Sequence, residues 1–472
     1  MQYLPRKTRL RLTRGRMSHR LLPLFVLTAA LVGLVSAPPA LVDATIANGA
    51  ADHVWGQQDL SSAGCHLSAT GRSTLCAPTR SAVDGQGNLW VADWWNNRVL
   101  MYPYVTSLRR PSRDASTVLG QYGDLTERLC NGPAATSGEG VPNAYTLCNP
   151  NGIAIDRHDT LYVSDQGNNR VLVYLKIADK IRRGRAIAAD AVLGQSDFAS
   201  GAANVTASSA LASGCGSPSP ASACTLNSPE GVSLDSHGDL LVADTLNNRV
   251  LQWSEASLAG IRRRICLGAC PIAARRVWGQ NGSFTSSCPN LATSIGGCSA
   301  YPTTPVPPGA ATLNGPEDAV VDGKGNLIIA DTGNNRVLEY DNALRSGRQD
   351  ATSVYGQDGS FVTGFANLGS VAASPASLSG PTGLALDSSH QLWVADEGNN
   401  RVLAFPSSND MSAVSDLATR VLGQHGSFTS SQPGSGADGL DHPYGVTFDA
   451  SDSLYIADHG SNDRVVEYAG LF

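Results

Sequence analysis

Three features of the sequence predict an all-β fold, a six-bladed β-propeller of four-stranded antiparallel blades. One segment with the pattern of three short strands recurs six times. A V-x-G-Q motif also recurs six times, with one copy ahead of the first segment. The composition is that of short strands joined by tight turns, with 49 Gly, 25 Pro and only 16% charged residues. Length alone would suggest about three domains, but internal repetition overrides that prior.

The segments begin at Cys76, Asn149, Ser228, Gly315, Gly380 and His442; the second reads NPNGIAIDRHDTLYVSDQGNNRVLVY. Gly152–Asp156, Leu161–Asp165 and Arg170–Tyr174 alternate or run apolar over a strand's usual length. The D-x-x-G-N and D-x-x-N-N stretches between them are turns, because Asn, Asp and Gly tolerate positive φ and bond their own backbone. The sixth segment carries one extra residue before Arg464.

The V-x-G-Q copies at Val118, Val192, Val277, Val354 and Val421 each follow a segment and supply its fourth strand. The sixth segment has no copy behind it, and the unmatched one is Val54-Trp55-Gly56-Gln57. A ring resolves the mismatch: the N-terminal strand joins the last blade and hides edges that would otherwise invite aggregation. The expected blades are about 75–121, 147–195, 226–280, 313–357, 378–424, and 440–472 plus 53–57, within a single propeller at 52–472.

The pattern G-P-x-G-[VIL]-A-[VIL]-D…V-A-D-x-x-N-N-R-V resembles NHL repeats, over essentially all of residues 52–472. That resemblance implies a six-bladed propeller. V-x-G-Q and the GSFTSS segments at Gly282 and Gly426 look like a bacterial exported branch of the family. Some six-bladed relatives are enzymes, among them zinc-dependent amidating lyases, streptogramin-type lyases and lactonases with a channel metal.

The N-terminus has a separate logic. Seven Arg and Lys between Arg6 and Arg20 precede the apolar run Leu21–Val35 and then Pro38-Pro39. Basic head, short apolar middle and small-residue end describe an export signal at 1–44, or an N-terminal anchor if it is not cleaved. The expected location is therefore secreted or extracytoplasmic. Those 44 residues carry seven basic groups and one acid, Asp43, so the −6 of the whole chain leaves −12 on the rest. An acidic body argues against nucleic-acid partners, whose phosphates demand cations.

Antiparallel order divides the loops between two faces. The blade-to-blade connections (roughly 58–74, 122–146, 196–225, 281–312, 358–377 and 425–439) share one face with the D-x-x-N-N turns. Connections this long usually mean function or disorder. The other face receives the third-to-fourth-strand loops. Three of these are basic, with Arg109, Arg110 and Arg113, then Lys176, Lys180, Arg182, Arg183 and Arg185, then Arg262, Arg263, Arg264, Arg275 and Arg276. Solvated loop charge is the plain reading; docking to an anionic envelope surface is the sharper one.

Ten cysteines fall in local pairs, Cys65–Cys76, Cys130–Cys148, Cys215–Cys224, Cys266–Cys270 and Cys288–Cys298. An even count in an exported chain favours disulfides. Each would pin a loop, for up to ~3 kcal/mol.

First strands line a propeller's channel, so the residues after each Pro face its mouth: Thr79, Asn151, Glu230, Glu317, Thr382 and Tyr444. Arg80 and Asp318 replace Gly at the next position. The D-x-x-N-N turns add Trp94, Gln166, Thr245, Thr332, Glu397 and His459. Glu230 and Glu317, on adjacent blades, would form a general acid/base pair, or with Asp318 and Asn151 hold Ca²⁺ through oxygen ligands. His459 and Tyr444 are further catalytic candidates. No post-Pro position is His, which weakens zinc chemistry. The Asp and Arg of D-x-x-N-N-R recur in every blade and read as architecture, because a catalytic residue need occur only once. Trp94 and Trp95, with Thr79, Arg80, Asn151, Thr382 and Glu397, are ligand-binding candidates.

The function expected is a monomeric extracytoplasmic binding or scaffold module for a protein, peptide or glycan. The alternative is a metal-dependent lyase or lactonase at the channel mouth.

Overall fold

The computed structural model describes residues 49–65, 70–132, 140–204, 221–265, 268–269, 272–290, 306–406 and 416–471. The expected signal at 1–44 lies outside them. Among the described residues no helix is long and apolar enough to cross a membrane.

Six sheets of antiparallel four-strand order form the blades. Blade 1 runs Pro78–Val83, Leu89–Asp93, Arg98–Tyr102 and Thr117–Leu119. The same order repeats in the segments that follow. Blade 6 takes Pro443–Phe448, Leu454–Asp458 and Arg464–Tyr468 from one end of the chain and His53–Trp55 from the other. There His53 pairs with Glu467, Val54 with Val466 and Trp55 with Val465. First strands pack on one another in sequence, and that of blade 6 packs on that of blade 1.

Six apolar clusters hold the ring, one at each blade-to-blade interface. The cluster between blades 6 and 1 joins Trp55, Tyr455 and Val465 to Leu75, Leu89, Leu100 and Tyr102. Trp55 also donates its indole N–H to the Ser112 carbonyl of blade 1, 2.7 Å away. The strands alternate between two such interfaces, which is why both of their faces are apolar.

The repeated polar residues fix the turns and the long connections. In blade 1, Asp93 accepts from Arg98 Nε at 2.7 Å, from Asn96, and from the Cys76 amide at 2.7 Å. Arg98 donates onward to the carbonyls of Gly71 and Thr74 at 3.0 and 2.9 Å, and to that of Leu125. Incoming and outgoing connections are thus tied to one guanidinium. Asn97 sits at φ 53°, where Asn is tolerated, and its side-chain oxygen accepts the Asn149 amide of blade 2 at 2.7 Å. The V-x-G-Q glutamine donates to the carbonyls of Asn97 and Leu129.

The face opposite these turns holds more structure than its sequence suggested. Blades 2, 3 and 4 insert short helices between their third and fourth strands: α1 (Ile177–Arg182), α2 (Glu255–Arg262) and α3 (Ala343–Ser346). Blade 1 inserts a small hairpin of Tyr104–Val105 and Arg110–Pro111. Beyond α2, Gly268–Ala269 pairs in parallel with Ala191–Leu193 and adds a fifth strand to blade 2.

Cys65–Cys76 and Cys130–Cys148 are disulfides. Cys224 and Cys288 are also disulfide-bonded. Their expected partners Cys215 and Cys298 lie outside the described residues, as do Cys266 and Cys270.

Candidate functional site

The six first strands approach so closely that their second mouth position is closed to most side chains. A Cβ on Gly152 would lie 2.3 Å from the Glu230 carbonyl oxygen, and one on Gly383 would lie 2.3 Å from that of Tyr444. Gly231 and Gly445 are as tightly placed. The two exceptions, Arg80 in blade 1 and Asp318 in blade 4, face each other across the ring. Arg80 Nε stands 3.6 Å from Asp318 Oδ2, and both are buried.

Arg80 organises the mouth. It donates to Asn151 Oδ1 of blade 2, to the Glu317 carbonyl of blade 4 at 2.8 Å and to the Thr382 carbonyl of blade 5 at 3.0 Å. Its guanidinium lies 5.0 Å from the centre of the Tyr444 ring of blade 6, a cation–π geometry. Thr79 and Thr382 bond sideways to the next first strand, at 3.0 Å to the Asn151 carbonyl and 2.7 Å to the Tyr444 carbonyl. They are buried ties of the ring.

A second spoke crosses the axis. Tyr444 donates its O–H to Glu230 Oε2 of blade 3 at 2.6 Å. The other Glu230 oxygen accepts from Gln166 at 3.0 Å, and Gln166 Oε1 accepts the Trp94 indole N–H at 2.8 Å. Glu317 is half-buried, and its Oε2 is enclosed with no hydrogen-bond partner. Burial pushes both carboxyls up from the ordinary 4.5. For Glu230, Arg80 and the Tyr444 hydroxyl oppose the rise. For Glu317, the neighbouring Glu230 charge adds to it, and it stands well above the usual range. Like charges in one buried site resist ionising together, which is why both carboxyls shift upward and Glu317 the more. Glu397, half-buried nearby, is raised by burial against the charge of His442.

Aromatic rings continue the mouth outward. Tyr444 and His459 lie 5.3 Å apart, His459 and Trp94 6.1 Å, and Trp94 stacks on Trp95 at 6.2 Å and 19°. Burial lowers the His459 pKa and favours its neutral form. Its Nδ1 is 3.3 Å from the Pro78 carbonyl, which assigns the proton to Nδ1. Trp95 is 54% exposed.

The four residues expected to hold Ca²⁺ do not fit a cage. Asn151 and Asp318 face the Arg80 guanidinium, and the Glu230 oxygens serve Tyr444 and Gln166. Among the described residues the one group of three close ligand atoms is Cys65, Cys76 and Asp463, and those cysteines are bonded to each other.

Sequence reasoning missed Ser164. It donates to the Glu230 carbonyl and accepts the Gly152 amide at 2.6 Å, setting the height of the Glu230 backbone. The signal was present, because the other five blades carry Ala at that place in V-A-D.

The NHL repeat family model matches residues 147–174, 226–253, 313–340 and 378–405. No curated protein matches the chain. Among solved structures, a protein of unknown function from Bacteroides thetaiotaomicron is similar at 13% identity and TM-score 0.46, over 87% of this chain and 75% of that one. An auxiliary nutrient binding protein from the same species is similar at 10% and 0.45, over 83% and 69%. Virginiamycin B lyase from Staphylococcus aureus is similar at 12% and 0.37, over 83% and 84%. Likenesses this distant say nothing about what the mouth binds. The matched segments and the six sheets together make this chain an NHL-repeat protein with a six-bladed β-propeller fold.

Proposed function

We propose that this propeller is an extracytoplasmic binding module that holds a glycan or peptide over the mouth formed by Trp94, Trp95, His459 and Tyr444. The stacked Trp94–Trp95 pair carries this reading. Trp95 is exposed while Trp94 is fixed by its bond to Gln166, and rigid exposed aromatics are inexpensive anchors for flat ligand faces. Beside them the half-buried Glu397 carboxyl offers an acceptor that would set orientation. Glycan and peptide arrays, read with wild type and Trp95→Ala, test it. Loss of the captured ligand in the variant is expected; equal capture would sink the reading.

A second reading draws on the Glu230–Glu317 pair. Two neighbouring carboxyls shifted upward by burial, Glu317 further than Glu230, are the kind of pair from which a general acid and base are drawn. It supports the alternative of a lyase or lactonase at the mouth, but without a cation cage built from these side chains. Turnover of a lactone panel that Glu317→Gln abolishes would favour this alternative over simple binding.

A further inference from the structure

We propose that the face opposite the mouth docks on an anionic lipid bilayer. The inserts between third and fourth strands all lie on that face, and two of them end in the same combination. In blade 1 the hairpin tip presents Leu108, 53% exposed, beside Arg109 and Arg110. In blade 3 the end of α2 presents Ile265, 77% exposed, beside Arg263 and Arg264. Single exposed aliphatics are common on surfaces, but each of these two sits at a loop tip flanked by arginines that form no ion pair among the described residues. That combination suits insertion just below a layer of negative headgroups.

The charge is distributed to match. Lys180 pairs with Asp190 at 2.7 Å, Arg182 with Asp179, and Arg262 with Asp156 and Glu255. By contrast Arg109, Arg110, Lys176, Arg183, Arg263 and Arg264 form no ion pair among the described residues. Of the turn aspartates on the same face, Asp156 is paired with Arg262, and Asp84 accepts two backbone amides of its own turn. Between blades 2 and 3, Lys176, Arg262, Arg263 and Arg264 with His158 and Glu255 line a cavity of about 400 Å³, room for a headgroup. The Glu255 charge is met by Arg262, so the cavity stays positive. The residues beyond the first 44 carry −12 in all, so an anionic surface repels the body as a whole. The unpaired cations of these inserts are what draw this face to the surface, which leaves the mouth pointing away from the membrane. The attraction must weaken with salt, because exposed charges are screened beyond a Debye length.

The test is co-sedimentation of the full chain with vesicles of phosphatidylglycerol and phosphatidylcholine, and with phosphatidylcholine alone. Any contribution of the N-terminal basic segment is common to all variants and cancels in the comparison. Arg263→Glu/Arg264→Glu should lower partitioning to the mixed vesicles by at least about tenfold, since each cation near such a surface carries a sizeable share of the binding. Leu108→Asp/Ile265→Asp should leave weak capture that high salt abolishes. All four positions are exposed, so the variants should melt with wild type. Undiminished binding of the arginine variant, or equal binding to pure phosphatidylcholine, would overturn the proposal. So would capture by heparin together with vesicle binding that the aspartate pair leaves untouched, which would assign the face to a soluble polyanion.

Discussion

Tyr444 in blade 6 bonds Glu230 in blade 3 at 2.6 Å, across the channel and 214 residues along the chain. With the Arg80–Asp318 pair it makes two crossing spokes that plug the mouth. The plug joins blades that share no interface, so its removal should be felt by the ring as a whole.

Tyr444→Phe removes the donor and leaves a buried carboxylate oxygen short of a partner, a loss of ~1–3 kcal/mol. Urea denaturation of Tyr444→Phe, Glu230→Gln and the double variant measures it. A coupling energy above ~0.5 kcal/mol is expected for groups in direct contact. Additive effects would mean that the bond does not form.

The carboxyl pair should also write itself into the pH profile. Glu317 and Glu230 have folded pKa values raised above 4.5. Such groups give full support below their unfolded value, and it is lost as pH rises through the folded one. Wild type should therefore lose stability from about pH 4.5 upward, while Glu317→Gln shows a flatter slope and gains relative stability at the alkaline end. Asp458 and Asp463, pushed up to about 6 by burial, add the same background to both proteins. Parallel thermal-melting profiles would refute the upward shift of Glu317.

Arg98→Ala takes the cation and its hydrogen bond from the buried Asp93 carboxyl, which burial already pushes up. Removing one partner of a buried pair costs about 3–5 kcal/mol. Arg336→Ala should cost the same, because Arg336 repeats the bonds to Asp331 and to both connections. Denaturant midpoints of the two variants should agree. A much smaller loss in either blade would show that the repeat is not architectural there.

Gly383→Ala places a methyl against the Tyr444 carbonyl oxygen and 2.9 Å from Gly445 Cα. The ring must widen, at a cost of ~1–3 kcal/mol typical of overpacking. A melting temperature equal to wild type would show that the first strands are not in such close contact.

Local chemistry was legible in the sequence, and geometry across the ring was not. The turns of Asn97 and the role of Asp93 follow from residue type and repetition, because each acts within a few residues of itself or on the next blade. Glu230 and Tyr444 were both placed at the mouth by their position after Pro. Their bond depends on how narrow the ring is, and no single segment encodes that. Glu317 was read as a cation ligand because Arg80 was counted as a substitution for Gly rather than as the guanidinium that fills the centre. The helix α2 could have been found: Ser254 caps it, and Leu258 and Ile261 stand three apart on one buried face.

The strand His53–Trp55 finds its partner only when Glu467, 414 residues later, is in place. A nascent chain emerging from the ribosome therefore carries that strand unpaired through most of its synthesis, and five finished sectors must wait for the sixth. Release of either terminus reopens the seam between Trp55 and Val465. Joining the two termini by a short linker, and cutting instead in a connection such as 358–377, would let the same disc assemble in sequence order with no such delay.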